Sequence, residues 1–409
     1  MTRPISQTRW RKTAGALLAA SVSTVLMGQA PAVQVKEDPL TVVTWDGAYE
    51  DSQRIAYFTP FTKDTGIPIK PETYDGSLQA IKKAIAKKGA ADVIDVSSGV
   101  LSKLCDAELL APIDVSKLPP AAGGGGPDQQ SPDTSAPETT ASTPVEADFI
   151  DGAVSSCGVA SVAWAATVVF EKEGFEGKAP TKAADFFDPE GFPGKRALPK
   201  GPRYTMELAL MADGVPPSEV YSTLATEAGQ TRAFDTLNKI RTDIVWWSRP
   251  GTPLRLIRQG KAAMGIAYTG RIFRNAVEAP SQVGILWDGQ IYDLDHWAIP
   301  KTSSRKGQAA EFIAFASRPD RLAAHAALTA YGPARPSAIP LVGDHPVVGV
   351  KMARFLPTAP DNFENALHFD QGWWDKHGEE VEERFDAWRQ GRSTAANRAE
   401  PDDEGNDAP

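Results

Sequence analysis

Between Leu40 and Ser98 the hydrophobic period of the chain changes four times, and that alternation restricts the fold more than any other feature. LTVVTW (Leu40–Trp45) is an apolar, β-branched run that reads as a strand. EDSQRIAYFTPFTKDTG places Ile55, Phe58 and Phe61 at helical spacing, and IPIKPETY returns to an extended pattern. LQAIKKAIAKKG sets Leu78, Ile81 and Ile85 on one helical face with lysines opposite and Gly89 as a stop, and ADVIDVSS follows as a third strand. The order is βαβαβ, the signature of an α/β domain.

A second set begins with the apolar strand VASVAWAATVVF (Val159–Phe170). It continues through helices around Thr205–Ala212 and Gln230–Arg241, the strand AAMGIAYTG, and the segment WDGQIYDLDHWAIPK (Trp287–Lys301). In an extended segment, side chains alternate, so Asp293, Asp295 and Trp297 share one face while Tyr292, Leu294 and His296 share the other. Two carboxylates side by side repel, and a bound cation relieves that repulsion. GQAAEFIAFASRPDRLAAHAAL then reads as one helix and HGEEVEERFDAWRQ as another. Two apolar strands, Val159–Phe170 and the short Trp297–Pro300, can each carry the chain between two α/β lobes, with a ligand cleft between them.

At 409 residues and 42% hydrophobic content the chain is long enough for two such units. The first 32 residues combine Arg3, Arg9, Arg11 and Lys12, an apolar run from Ala14 to Met27 and Ala30-Pro31-Ala32. That is the pattern of a cleaved signal peptide, the run being shorter than the roughly 18 to 20 residues a membrane span needs. The formal charge of −9, more negative still without those four cations, disfavours nucleic acid and anionic membranes as partners. Neither cysteine, Cys105 or Cys157, follows the apolar run where a lipid anchor would need one, so a soluble periplasmic protein is expected. In an oxidising compartment the two read as one disulfide, the alternative being two buried thiols. Pro119–Pro144 contains no large aliphatic or aromatic side chain and reads as a disordered insertion spanning about 116–147; residues 391–409 read as a flexible tail.

The five histidines, His296, His325, His345, His368 and His377, show no HxH or HxxxH spacing, and the cysteines form no CxxC, so no metal site is expected. No GxSxG elbow occurs, and Gly123–Gly126 lie in low complexity without a preceding strand, so neither a hydrolase nucleophile nor a phosphate loop is indicated. No enzyme activity and no cofactor are expected. A secreted enzyme or a sensor component on the same fold remain the rival classes.

The pieces VVTWDGAY, FTKDTGI, ADVIDVSS, GIAYTGRIF, IYDLDHWAIP and FIAFASRPDRLAAH…YGPARPS, in this order from about Leu40 to Gln390, resemble the exported solute-binding proteins of ABC importers, specifically the spermidine/putrescine-binding type. The resemblance implies a two-lobed, type II-like periplasmic-binding-protein fold. Lobe 1 would comprise 33–158 with about 299–340, and lobe 2 159–298 with about 341–390. It implies a monomeric receptor that delivers a small cationic or zwitterionic solute to an ABC permease in the inner membrane.

By the same resemblance Trp45 and Tyr49 are first-turn aromatics beside Asp46, although one extra residue separates them. Ser97 follows the third strand, Tyr268 and Tyr331 are cleft aromatics, and Asp295 holds an ammonium. Asp293 falls where the family has an indole. The chain departs from polyamine binders at LPKGPRYTMEL, where Lys200 and Arg203 stand and no carboxylate precedes Glu207, and at Arg271, which adds a positive charge to the cleft. A cation between aromatic faces gains about 0.5 to 2 kcal/mol per contact, but a polyamine needs anionic anchors at both ends. Only one is evident. Arg271 suits a carboxylate, so a short ω-amino acid such as 4-aminobutanoate competes with putrescine and spermidine.

Overall fold

The computed structural model describes residues 38–121, 145–278 and 283–391. The proposed signal peptide, most of the insertion and the tail beyond residue 391 lie outside the described residues.

β1 (Leu40–Trp45) lies between β2 (Ile69–Tyr74) and β3 (Val93–Ser97), parallel to both. Buried on both faces, β1 needs an unbroken apolar and β-branched run. β2 is the outer strand, which is why it alternates in exposure and tolerates Pro71. Between β1 and β2 run α1 (Ala48–Gln53), a five-residue π-helical turn (Arg54–Phe58) and α2 (Thr59–Thr65). The wider π turn rotates the helix face. Ile55, expected inward with Phe58 and Phe61, is therefore 61% exposed, and Ala56, Tyr57, Phe58 and Phe61 form the buried side.

Then come α3 (Leu78–Ala86), α4 (Ser98–Asp106) and β4 (Val159–Glu171). β5 (Arg196–Pro199), α5 (Thr205–Ala212), α6 (Val220–Leu224), α7 (Glu227–Asn238) and β6 (Ile244–Trp247) follow. α8 (Thr252–Arg258), β7 (Met264–Tyr268), α9 (Thr269–Glu278) and β8 (Val283–Ala298) lead to α10 (Lys306–Ala316), α11 (Pro319–Thr329), α12 (Pro360–Phe363), β9 (Leu367–His368) and α13 (Gln371–Arg389). The helix expected across α10 and α11 is broken. Arg318, ahead of Pro319, is extended at φ −63° and ψ 139°, the conformation a following proline favours, and Pro319 opens the next helix.

All nine strands join one mixed sheet in the order β2-β1-β3-β8-β4-β7-β5-β6, with β9 beside β8. β8 runs antiparallel to β3 and to β4. The short strand expected at Trp297–Pro300 is instead the end of β8, 16 residues long and paired with β4 from Val159↔Trp297 to Glu171↔Val283. These two strands cross both cores. Val159 and Trp297 pack with Leu40, Tyr57, Phe61 and Phe312, whereas Val168 and Leu286 pack with Phe186, Leu210, Phe234 and Phe385. The alternation read from the sequence holds in β8: Leu294 and Tyr292 pack with Ala163 and Ala165 on one face, and Asp295 faces the other.

Cys105 at the end of α4 and Cys157 before β4 form a disulfide, with Cα atoms 6.0 Å apart. The two flanks of the insertion meet at Arg335, which is fully buried. Its guanidinium donates to Asp148 Oδ2 at 2.7 Å, to the Pro119 carbonyl at 3.0 Å and to the Ser317 carbonyl at 2.9 Å. Among the described residues no helix is long and apolar enough to cross a membrane.

Candidate functional site

A cavity of about 680 Å³ opens on the Asp295 face of β8. It gathers Trp45, Asp46, Tyr49, Ser97, Tyr268, Arg271, Asp295 and Tyr331, all residues singled out from the sequence. Asp293 is the exception. Its Oδ1 accepts from the Leu294 amide at 2.7 Å, and it is buried outside the cavity lining. The wall at that level is Trp164, the residue paired with Asp293 across β4–β8. The indole that the resemblance expects at position 293 therefore comes from the neighbouring strand.

The cavity lining carries both signs of charge, from two different elements. On β8, Asp295 is paired with Ser97 on β3 and with Val162 on β4. Burial pushes its carboxyl well above the usual carboxylate range, with Asp95 and Asp293 adding to the shift and the Trp164 indole opposing it. Asp293 is also raised, chiefly by burial. On α9 stand Arg271 and Arg274, three residues apart and so on one helical face. No ion pair joins either arginine to a carboxylate among the described residues.

Aromatic rings make the walls. Trp164 meets Tyr268 edge-on at 5.8 Å and Tyr204 at 6.4 Å, and Tyr49 meets Tyr331 edge-on at 5.7 Å. Tyr331 leans on Gly270, where an added Cβ would stand 2.5 Å from its hydroxyl. Trp45 lies against Tyr74 at 5.2 Å and against the Gly76 turn, where any side chain would collide with the indole. Behind Tyr49, His325 stacks on Tyr57 at 5.1 Å and shares a 2.9 Å hydrogen bond with Ser52; burial lowers its pKa to about 3, so the support is uncharged at neutral pH. Asp46, at the exposed rim, accepts from the Gly47 amide.

Trp164, Tyr204, Arg274 and Asp95 were not singled out from the sequence. Trp164 sits in an apolar strand with no polar neighbour to mark it. Tyr204 is aimed by backbone geometry: it holds φ 67°, rare for a residue with a side chain, immediately before α5. The Gly201-Pro202 turn ahead of it is the one signal available. Arg274 is readable as the helical partner of Arg271. Trp246 and Trp373 pack against other rings away from this cavity.

A second cavity, about 780 Å³, opens on the opposite face of β8 against Tyr292, His296 and His368, and no lysine or arginine lines it. Of these two cavities, the one on the Asp295 side carries lysine or arginine beside a carboxylate, in Arg271 and Arg274.

Residues 56–348 match the family model described as bacterial extracellular solute-binding protein. The chain is 34% identical to a gamma-aminobutyric acid-binding protein of Pseudomonas aeruginosa over 360 residues, 88% of this chain and 93% of that one. The spermidine/putrescine-binding periplasmic protein of Escherichia coli is 24% identical over 267 residues, 64% of this chain and 68% of that one. An ABC transporter substrate-binding protein from Bradyrhizobium japonicum superposes with a TM-score of 0.67 at 27% identity, covering 86% of this chain and 99% of its own.

Proposed function

The chain belongs to the bacterial extracellular solute-binding proteins, and from that premise we propose that its ligand is a short ω-amino acid of the 4-aminobutanoate type. It is a substrate-binding receptor for ABC transport, and its relatives bind solutes rather than transform them. The observation that carries the ligand assignment is the two-signed cavity, lined by Asp295 from β8 and by Arg271 and Arg274 from α9. Asp295 receives the ammonium, which also meets the faces of Trp164 and Tyr49, each good contact being worth about 0.5 to 2 kcal/mol. The guanidinia receive the carboxylate in charge-assisted hydrogen bonds. A polyamine would need a carboxylate where the arginines stand, and the relative named for polyamines is the more distant one.

In this reading 33–158 with about 299–340 and 159–298 with about 341–390 act as two lobes that close on the ligand, joined through β4 and β8. The separate cores at the two ends of the β4–β8 pairing support that division. The closed form then docks on an inner-membrane permease. The disulfide and the acidic charge support a periplasmic location.

Isothermal titration of ligand-stripped protein with 4-aminobutanoate, putrescine and spermidine tests the assignment. Tight binding of 4-aminobutanoate alone is expected. A polyamine response without one to the amino acid overturns it.

A further inference from the structure

Asp95 lies on β3 on the same face as Asp295, two residues from Ser97, the residue paired with Asp295. It is completely buried and does not line the cavity. Neutral donors surround it. Ser161 Oγ donates to Oδ1 at 2.8 Å, while Tyr49 Oη at 2.9 Å and Gln53 Nε2 at 2.6 Å donate to Oδ2. Thr44 Oγ1 stands 3.5 Å from the same oxygen and gives its shorter bond, 2.7 Å, to Gln53 Oε1. The Ser161 contact depends on a β-bulge: the β4–β8 register shifts between Ala160 and Val162, and the extra residue is Ser161.

Three donors from two elements, α1 and β4, thus converge on one carboxylate, and no lysine or arginine among the described residues pairs with it. Such a shell favours the ionised form. Burial raises the Asp95 carboxyl and these donors oppose the rise. The negative charge stands unneutralised beneath Asp295. The other titratable groups facing the pair are Tyr49, Tyr57, Tyr74 and Tyr331, whose hydroxyls burial keeps protonated, and Asp293. Arg321 acts on Tyr57, and Arg271 and Arg274 act on Tyr331 across the cavity.

We propose that Asp95 is a specificity-determining residue for the cationic end of the ligand, a buried fixed charge that positions Tyr49 and leaves Asp295 protonated until an ammonium group arrives. On binding, the Asp295 O–H bond breaks, its proton passes to solvent, and the carboxylate pairs with the ammonium; no other reactant is needed. A solute ending in a neutral or anionic group cannot displace that proton. The upward displacement of Asp295 by burial and then by Asp95 agrees with this order of events. The inference rests on the amine-bearing ligand proposed above.

The test is titration of full-length, ligand-stripped protein with 4-aminobutanoate from pH 5 to 9, in buffers of different ionisation enthalpy so that released protons are counted. Wild type is expected to release a proton near neutral pH and to bind more tightly as pH rises. In Asp95→Asn the release at pH 7 falls, the affinity profile moves to lower pH, and at pH 9 binding is about tenfold weaker because the ammonium no longer feels the second negative charge. Asp295→Asn should abolish the release. An unchanged profile in folded Asp95→Asn overturns the proposal and leaves Asp95 a scaffold residue. Wild-type binding without proton release at any pH overturns it whether or not that variant folds. Wild type that binds no 4-aminobutanoate instead removes the ligand assignment, and this inference with it.

Discussion

Asp293 and Asp295 are two residues apart on one strand, yet only Asp295 faces the cavity, because Asp293 is held by its own backbone neighbour and Trp164 supplies the wall beside it. Asp295→Ala should therefore weaken 4-aminobutanoate binding at least about tenfold, the worth of one charge-assisted hydrogen bond, with an unchanged melting temperature; undiminished affinity in a folded variant removes Asp295 as the ammonium anchor. Glu207 illustrates a buried carboxyl with no part in the site. Burial raises its pKa to about 7, although Trp374 Nε1 donates to it at 2.7 Å. Its folded pKa lies above the unfolded value, so the folded state binds the extra proton, and the associated stability is present below about pH 4.5 and is lost as pH rises through about 7. Glu207→Gln should flatten stability between those limits and raise the melting temperature at pH 8. Denaturation across pH 4 to 8 reads it directly, and an identical pH dependence in the variant would show that the unpaired charge is not the cause.

At the scale of elements, irregularities do the aiming. The π turn between α1 and α2 turns Ile55 outward and Tyr57 inward, the bulge in β4 points Ser161 at Asp95, and a left-handed Tyr204 turns its ring toward Trp164. Gly270, at the start of α9, lets Tyr331 lie against the backbone. Gly270→Ala should displace that ring and weaken ligand binding several-fold while leaving the α9 helix formed, a split visible by titration beside circular dichroism. Arg335 ties the end of α10 and both flanks of the insertion together. Removing it leaves the half-buried Asp148 without its counter-ion and the Pro119 and Ser317 carbonyls without their donor, so Arg335→Ala should cost about 3 to 5 kcal/mol in a urea melt; a loss below about 1 kcal/mol would mean the flanks are held elsewhere.

For the molecule as a whole, β4 and β8 set the architecture: each crosses from one core to the other, and β8 lines the cavities on both faces. The Cys105–Cys157 bridge closes a loop of sequence separation 52 that contains the insertion. Replacing both cysteines with serine should lower stability by roughly 4 kcal/mol on the loop-entropy model without changing ligand affinity at 25 °C, because the bridge lies on the far side of the sheet from Asp295. Equal stability with and without the bridge, measured by denaturant melts, would contradict that estimate.

The amino-acid sequence by itself determined the α/β class, the order of the main strands and helices and the cystine, because hydrophobic period, turn residues and compartment signals are local properties that survive without coordinates; the cavity residues it offered came from the family resemblance rather than from local pattern. Only the tertiary structure decided that Asp293 is turned out of the cavity, that Ile55 faces solvent, that one long β8 replaces a short crossover strand, and that Asp95 lies behind Asp295. The reason is common to all four. Each depends on a shift of one residue in register or helical turn, or on which strand lies beside which, and long-range pairing sets these where local pattern cannot.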